Sequence, residues 1–154
     1  MQGKLAMMVR AADGTLVAER RGKNIVLRQG ASIVAKLFVG ANDSSAITRV
    51  QVGFGRETAT PETTTLTPPS TAVAPEALRT DIPKEALTVT SDGPNSVVVA
   101  VNALFKPTVQ LDDVSEAGLM AGDVLYNQVV FEPVTLRPGQ DVTFFWEVDF
   151  PFGR

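Results

Sequence analysis

The 154-residue sequence contains no histidine and no cysteine. These absences exclude disulfide bonds, thiolate nucleophiles, Ser-His triads and ordinary zinc sites. A metal site would have to be built from oxygen ligands. Because a cysteine-free chain tolerates oxidising and reducing surroundings alike, cysteine usage does not indicate a compartment. We therefore expect a protein that is not an enzyme and that carries no cofactor and no metal.

Positive charge is also scarce, because 14 Lys and Arg stand against 17 Asp and Glu, for a net charge of −3. Nucleic acids and anionic membrane surfaces are bound through clustered positive charge, so neither is an expected partner. No apolar run approaches the roughly 20 residues that span a bilayer, and the first ten residues lack the long apolar core of a signal peptide. The length and composition predict one globular domain over residues 1–154.

Several segments have the patterns of β-strands. An apolar stretch at 4–9, the turn signal Asp13-Gly14 and residues 15–19 together predict a β-hairpin, followed by a solvated turn at Arg20, Arg21 and Lys23. Further strands are expected at 47–54, 87–90, 96–105 and 123–131. The clearest alternation lies at 142–150, where one face carries Val142, Phe144, Trp146, Val148 and Phe150. Phe145 interrupts the polar face, which predicts that this face is covered as well.

One segment has a helical period. Residues 29–39 place Ile33, Val34, Leu37 and Phe38 on one stripe, and Gly40 follows where a helix commonly ends. We expect this stripe to pack on a sheet. The fold class is therefore mainly β, with an antiparallel sandwich-like core and one short helix.

Residues 56–86 differ from the rest, because five prolines and eight threonines fall within them. Proline removes backbone donors and favours extended conformations, so we expect a long extended arm or loop. Its few large aliphatic residues, together with Phe152 beyond the last strand, are the candidate contacts with partner proteins. These candidates are Leu66, Val73, Leu78, Ile82 and Phe152.

Two glycine-containing motifs are candidate structural turns. Gly53-Phe54-Gly55 lacks the Lys-Ser/Thr continuation of a phosphate loop, so we expect Gly53 and Gly55 to let the chain turn at a strand end. Glu116 and Gly118 are expected to form a tight turn before the strand at 123. An alternative interpretation pairs Glu116 with a nearby carboxylate as an acid–base couple or a calcium site. The carboxylates available for it are Asp112, Asp113 and Asp123.

The order and spacing of these motifs resemble a known group of proteins over residues 20–150. The segments are Lys23-Asn24-Ile25-Val26, Val52-Gly53-Phe54-Gly55, Thr65-Leu66 with Arg79 after it, Glu116-Ala117-Gly118-Leu119 and the Trp146 strand. Together they resemble the small virion proteins of tailed bacteriophages, and the N-terminal particle-attachment module of phage tail-collar fibre proteins.

The resemblance implies a structural or assembly protein of the virion, assembled in the host cytoplasm. Such a protein binds copies of itself, with a trimer as the first expectation, and other virion proteins at the tail, neck, baseplate or fibre attachment. Two alternatives remain. One is a head decoration (cement) protein on the capsid surface, and the other is a carbohydrate- or receptor-binding β-sandwich.

Overall fold

The structure, a computed structural model, describes residues 2–91 and 93–153. About half of the chain is β-strand, and the described strands form an antiparallel sheet that curls into a half-barrel. The prediction of a mainly β fold with one short α-helix is confirmed, whereas a two-layer sandwich is not. The elements are β1 (Gln2–Arg10), β2 (Leu16–Val26), α1 (Arg28–Phe38), β3 (Arg49–Gly53), β4 (Arg79–Asp81), β5 (Leu87–Ser91), β6 (Ser96–Phe105), β7 (Leu111–Ala121), β8 (Val124–Leu125), β9 (Asn127–Leu136) and β10 (Asp141–Pro151).

The strand order of the sheet is β4-β3-β7-β9-β2-β1-β10-β6-β5, with β8 paired to β7. At its centre β1 pairs with β10, so that Leu5 lies opposite Trp146 and Met7 opposite Phe144. All four side chains are buried on the concave face, which confirms the predicted alternation of the last strand. Phe145 points to the other face and is 39% exposed, so the described residues do not cover that face as expected.

The predicted hairpin is confirmed, since β1 and β2 are antiparallel neighbours. Gly14 has a φ of +88° in the connecting turn, and the Asp13 side chain accepts a hydrogen bond from Thr15 N at 2.9 Å. The turn predicted after this hairpin is wrong, because β2 continues through it to Val26. The basic residues lie along the strand, and the Arg20 guanidinium donates to the carbonyls of Glu132 and Pro133 at 2.8 and 3.0 Å.

Helix α1 is terminated as predicted by Gly40, which follows its C-cap and has a φ of +69°. Gly40 N donates to Leu37 O and Ala41 N donates to Lys36 O, the paired bonds of a Schellman motif. The expectation that the whole apolar stripe packs on the sheet is wrong. Ile33 is buried, but Leu37 and Phe38 are exposed, so only the first half of the helix is covered.

Segment 56–86 lies against its own domain, and an arm reaching away from it is not confirmed. Residues 56–74 contain neither helix nor strand, but a 3₁₀ turn at Pro75–Leu78 leads into β4, which pairs with β3. Ile82 N then donates to Thr48 O at 2.8 Å. The few aliphatic side chains of the segment are enough to fix it, because they enter a core that the sheet already provides.

The curl of the sheet brings β4 close to β6, although the two strands are far apart in the strand order. The Thr80 hydroxyl donates to Leu104 O at 3.0 Å and bridges the two strands. The edge strand β4 is therefore covered in part by β6. Strand β5, at the opposite end of the order, remains as the outer edge of the sheet.

Candidate interaction surfaces

Glu116 lies in the middle of β7 and is only 1% exposed. Its Oε1 accepts a hydrogen bond from Thr67 N at 2.5 Å, and its Oε2 accepts one from the Gln128 side-chain amide at 2.7 Å. Phe54 N donates to Thr67 O at 3.0 Å, so Thr67 is held through both its backbone N–H and its carbonyl group. The carboxyl group of Glu116 thereby fastens the proline- and threonine-rich segment to the sheet.

Gly53 and Gly55 provide the space that this carboxyl group needs. A Cβ atom on Gly53 would lie 2.5 Å from Glu116 Oε1, and one on Gly55 would lie 2.9 Å from Glu116 Oε2. The Ser115 hydroxyl also donates to Gly55 O at 2.5 Å. Gly53 ends β3 as predicted, and the two glycines are required here because any larger residue would displace Glu116.

The predicted turn at Glu116 and Gly118 is wrong, because both residues belong to the continuous strand β7. Gly118 faces Gln51 of β3, and a Cβ atom there would collide with Asn127 O of β9 and with Leu125. The turn comes later, at Gly122, which has a φ of +61°. The structural role expected for Glu116 thus concerns a distant segment rather than a local turn.

Most of the candidate partner contacts are part of the protein's own core. Leu66, Leu78 and Ile82 are buried, so the expectation that they dock on a neighbour is wrong for this structure. Leu66 lies over Gly53, in the space next to Glu116, while Val73 is partly buried against the main core. Phe152 is different, since the residue is 47% exposed while its backbone N donates to Asn95 O at 2.7 Å.

The end of α1 carries an exposed apolar cluster that the sequence analysis missed. Leu37, Phe38 and Val39 follow one another, and their exposed fractions are 46%, 92% and 75%. Three adjacent large apolar residues exposed in this way are typical of a contact surface. The helical period did indicate that Leu37 and Phe38 share a face with Ile33, but the period does not show how far the sheet extends beneath the helix.

A groove of about 730 Å³ opens between α1, the 42–45 loop, the 61–64 loop and the β7–β8 turn. Its lining is rich in hydroxyl and amide groups, with ion pairs at Arg28–Glu62 and Lys36–Asp43. These hydrogen-bonded cations hold the pKa values of the Glu62 and Asp43 carboxyls below their usual range. The polar side chains that line the groove include Gln29, Ser32, Asn42, Ser44, Thr63 and Thr64.

Next to this groove, Asp123 lies between two arginines. Its Oδ1 is 3.7 Å from Arg49 Nη1 and 3.8 Å from Arg79 Nη1, and Arg49 Nε is 3.9 Å from Asp81 Oδ1. These ion pairs connect β3, β4 and the β7–β8 turn. Within residues 2–91 and 93–153, acidic side chains do not form a group of three or more that could hold a metal ion.

Strand β5 presents an unusual edge. Its five residues carry no charge and no proline. Among the described residues, its backbone pairs with β6 alone. Val89 lies opposite Val99 on the concave side of the sheet, yet it is 74% exposed. The apolar face of the sheet therefore extends to an edge that nothing described in the chain covers.

Comparisons with protein-family models, with curated proteins and with solved structures give no match. Within the part of the chain that the structure describes, no helix combines the length and apolar character needed to cross a membrane.

Proposed function

We propose that this protein is a non-enzymatic structural subunit of a tailed-phage particle, which binds copies of itself and other virion proteins. The virion setting rests on the resemblance of the ordered motifs between residues 20 and 150. The observation that carries the binding role is the exposed cluster Leu37, Phe38 and Val39 at the end of α1. Burying such side chains against a partner is favourable by about 25 cal/mol for each Å² of apolar surface removed from water.

The buried hydrogen bonds of Glu116 to Thr67 and Gln128 support the same role, because they fix segment 56–86 to the sheet and so stabilise the fold that carries the exposed surfaces. Glu116 is sealed by Gly53, Gly55 and Leu66 and bonded to Thr67 and Gln128, so it belongs to the framework. The exposed surfaces lie elsewhere, at α1, β5 and Phe152. This division suits a subunit whose task is to hold protein contacts in fixed positions.

Mass spectrometry of purified particles of the phage that encodes this chain tests the proposal. We expect the protein to be present at a fixed copy number. Six to eighteen copies would place it at the neck, baseplate or fibre attachment, and hundreds would place it on the head as a decoration protein or in the tail tube. Absence from particles that contain their other structural proteins would reject the virion role.

A second candidate is supported by the groove beside α1. A cleft of about 730 Å³ whose lining combines apolar surface with hydroxyl, amide and carboxylate groups suits a ligand with both kinds of surface, such as a carbohydrate. A glycan-array screen tests this function, with Ser32→Leu as a variant that blocks the groove. Binding of a glycan that this variant loses would favour receptor recognition over a purely structural role.

A further inference from the structure

The two ends of the strand order are protected to very different degrees. Strand β4 has three residues, it includes the charged Asp81, and Thr80 ties it to Leu104 O. Charged residues, short length and coverage are the usual means by which edge strands avoid further pairing. Strand β5 has none of these protections, because its residues 87–91 are uncharged, free of proline and rich in residues that favour strands.

The concave face near β5 is also incompletely covered. Leu87, Val99 and Phe150 are only partly buried against the core, and Val89 beside them is largely exposed. One more strand added to β5 would satisfy its free backbone groups and extend cover over these apolar side chains. The missing element is therefore a strand with an apolar residue directly opposite Val89.

A second copy of β5 meets this requirement. In an antiparallel pair centred on Val89, this residue lies opposite the partner subunit's Val89. Thr88 then lies opposite the partner subunit's Thr90, and the same pair occurs again on the other side of the centre. Valine–valine and threonine–threonine pairs across strands are favourable, and no like charges face one another.

We propose that two copies of this protein associate through antiparallel β5–β5 pairing centred on Val89, which makes one continuous sheet from both subunits. This inference rests on the proposed assembly role and names the surface that it uses. A contact of this kind is isologous and closes at two copies, so it gives a dimer instead of the trimer expected from the resemblance.

Single-cysteine variants test the register directly, because the natural chain has no cysteine. In the proposed pair, the two residues at position 89 have Cα atoms about 4.5–5.5 Å apart, within disulfide range. The two residues at position 88 are offset by two residues and lie about 8 Å apart, beyond that range. After copper–phenanthroline oxidation, V89C should form a covalent dimer at least tenfold faster than T88C. Equal rates, or no dimer with V89C, would overturn the proposal.

Sedimentation equilibrium provides an independent measurement. The unmodified protein should be dimeric, and Val89→Lys should raise the dimer dissociation constant at least tenfold, because it places two ammonium groups opposite each other. Val17→Lys is the matched control: this valine is 52% exposed on β2, four strands away from β5 in the sheet. A trimer, a monomer at all concentrations, or equal effects of both variants would contradict β5 pairing.

The two proposals fail separately. A V89C dimer in a protein that is missing from purified particles would reject the virion role and support β5 pairing. A protein present in particles whose V89C variant gives no covalent dimer would support the virion role and overturn β5 pairing. Far-ultraviolet circular dichroism of each variant checks its fold, and the cysteine variants decide the question if Val89→Lys does not fold.

Discussion

Replacing Glu116 with glutamine should destabilise the protein, although the two side chains have the same shape. Both oxygens of Glu116 accept hydrogen bonds, one from Thr67 N and one from the Gln128 amide. In Glu116→Gln, the remaining oxygen can stay bonded to Thr67 N, and the Gln128 amide can turn over so that its Oε1, which has no partner among the described residues, accepts from the new NH₂ group. The charged acceptor is lost at both contacts, which costs about 1–3 kcal/mol, and Glu116→Ala, which leaves two buried donors without a partner, should cost about 2–6 kcal/mol.

Urea unfolding followed by the fluorescence of the single tryptophan measures this loss. Trp146 is fully buried in the sheet, so its emission reports the global transition. Glu57→Gln is the matched control, because Glu57 is an exposed glutamate in the same part of the chain. We expect the control to remain within about 0.5 kcal/mol of the unmodified protein.

The same substitution should also loosen segment 56–86 locally. Trypsin cleavage after Arg56, whose side chain is largely exposed, should become faster in Glu116→Gln under conditions where the sheet remains folded. If Glu116→Gln unfolds at the urea midpoint of the unmodified protein and is cleaved at the same rate, the Glu116 carboxyl group does not hold this segment against the sheet.

Three further predictions follow from buried residues. Burial raises the pKa of Tyr126 to about 12, against about 10 in the unfolded chain. Because the raised value belongs to the folded state, about 2–3 kcal/mol of stability is present below pH 10 and is lost as the pH rises towards 12. Absorbance at 295 nm follows this single tyrosine alone, and a native midpoint near 10 would contradict its burial. Trp146→Ala should cost about 3–5 kcal/mol, since it removes a ring stacked on Phe144 at 5.9 Å; an unchanged melting temperature would refute this. Gly118→Ala should lower the free energy of unfolding by about 1–3 kcal/mol, the usual cost of overpacking, because its Cβ would meet Asn127 O. The control is Gly139→Ala, in an open turn with a φ of +89°, which shows the cost of backbone strain alone. An equal loss in both variants would argue against the close packing of β7 and β9.

Local patterns in the sequence predicted the regular elements well. The alternation around Trp146 and the Gly40 helix end are properties of a few neighbouring residues, and the structure confirms both. The prediction of an extended arm at 56–86 rests on the proline and threonine content of that segment, and this content does not show which other residues the segment contacts. What fixes this segment is Glu116, which is 49 residues from Thr67 and fits only because Gly53 and Gly55 have no side chains.

The structural role of Gly118 could not be predicted for a related reason. Gly118 was assigned to a turn, whereas the structure uses it for the close approach of β7 to β9, a contact between strands that the local sequence does not specify. The exposure of Phe38 was likewise beyond prediction, because a helical period shows which side chains share a face and not where the neighbouring sheet ends. The candidate surfaces therefore depend on tertiary arrangement more than the fold class does.

The place of β10 in the sheet has a consequence for how the chain folds. Strand β10 lies between β1 and β6, and it pairs with β1 from Gln2–Asp149 to Arg10–Asp141. Strand β10 must pair with both β1 and β6 before the centre of the sheet is complete. Contacts this distant in sequence slow folding. The centre of the sheet is therefore completed by pairing between strands far apart in the sequence, and we expect this step of folding to be slow.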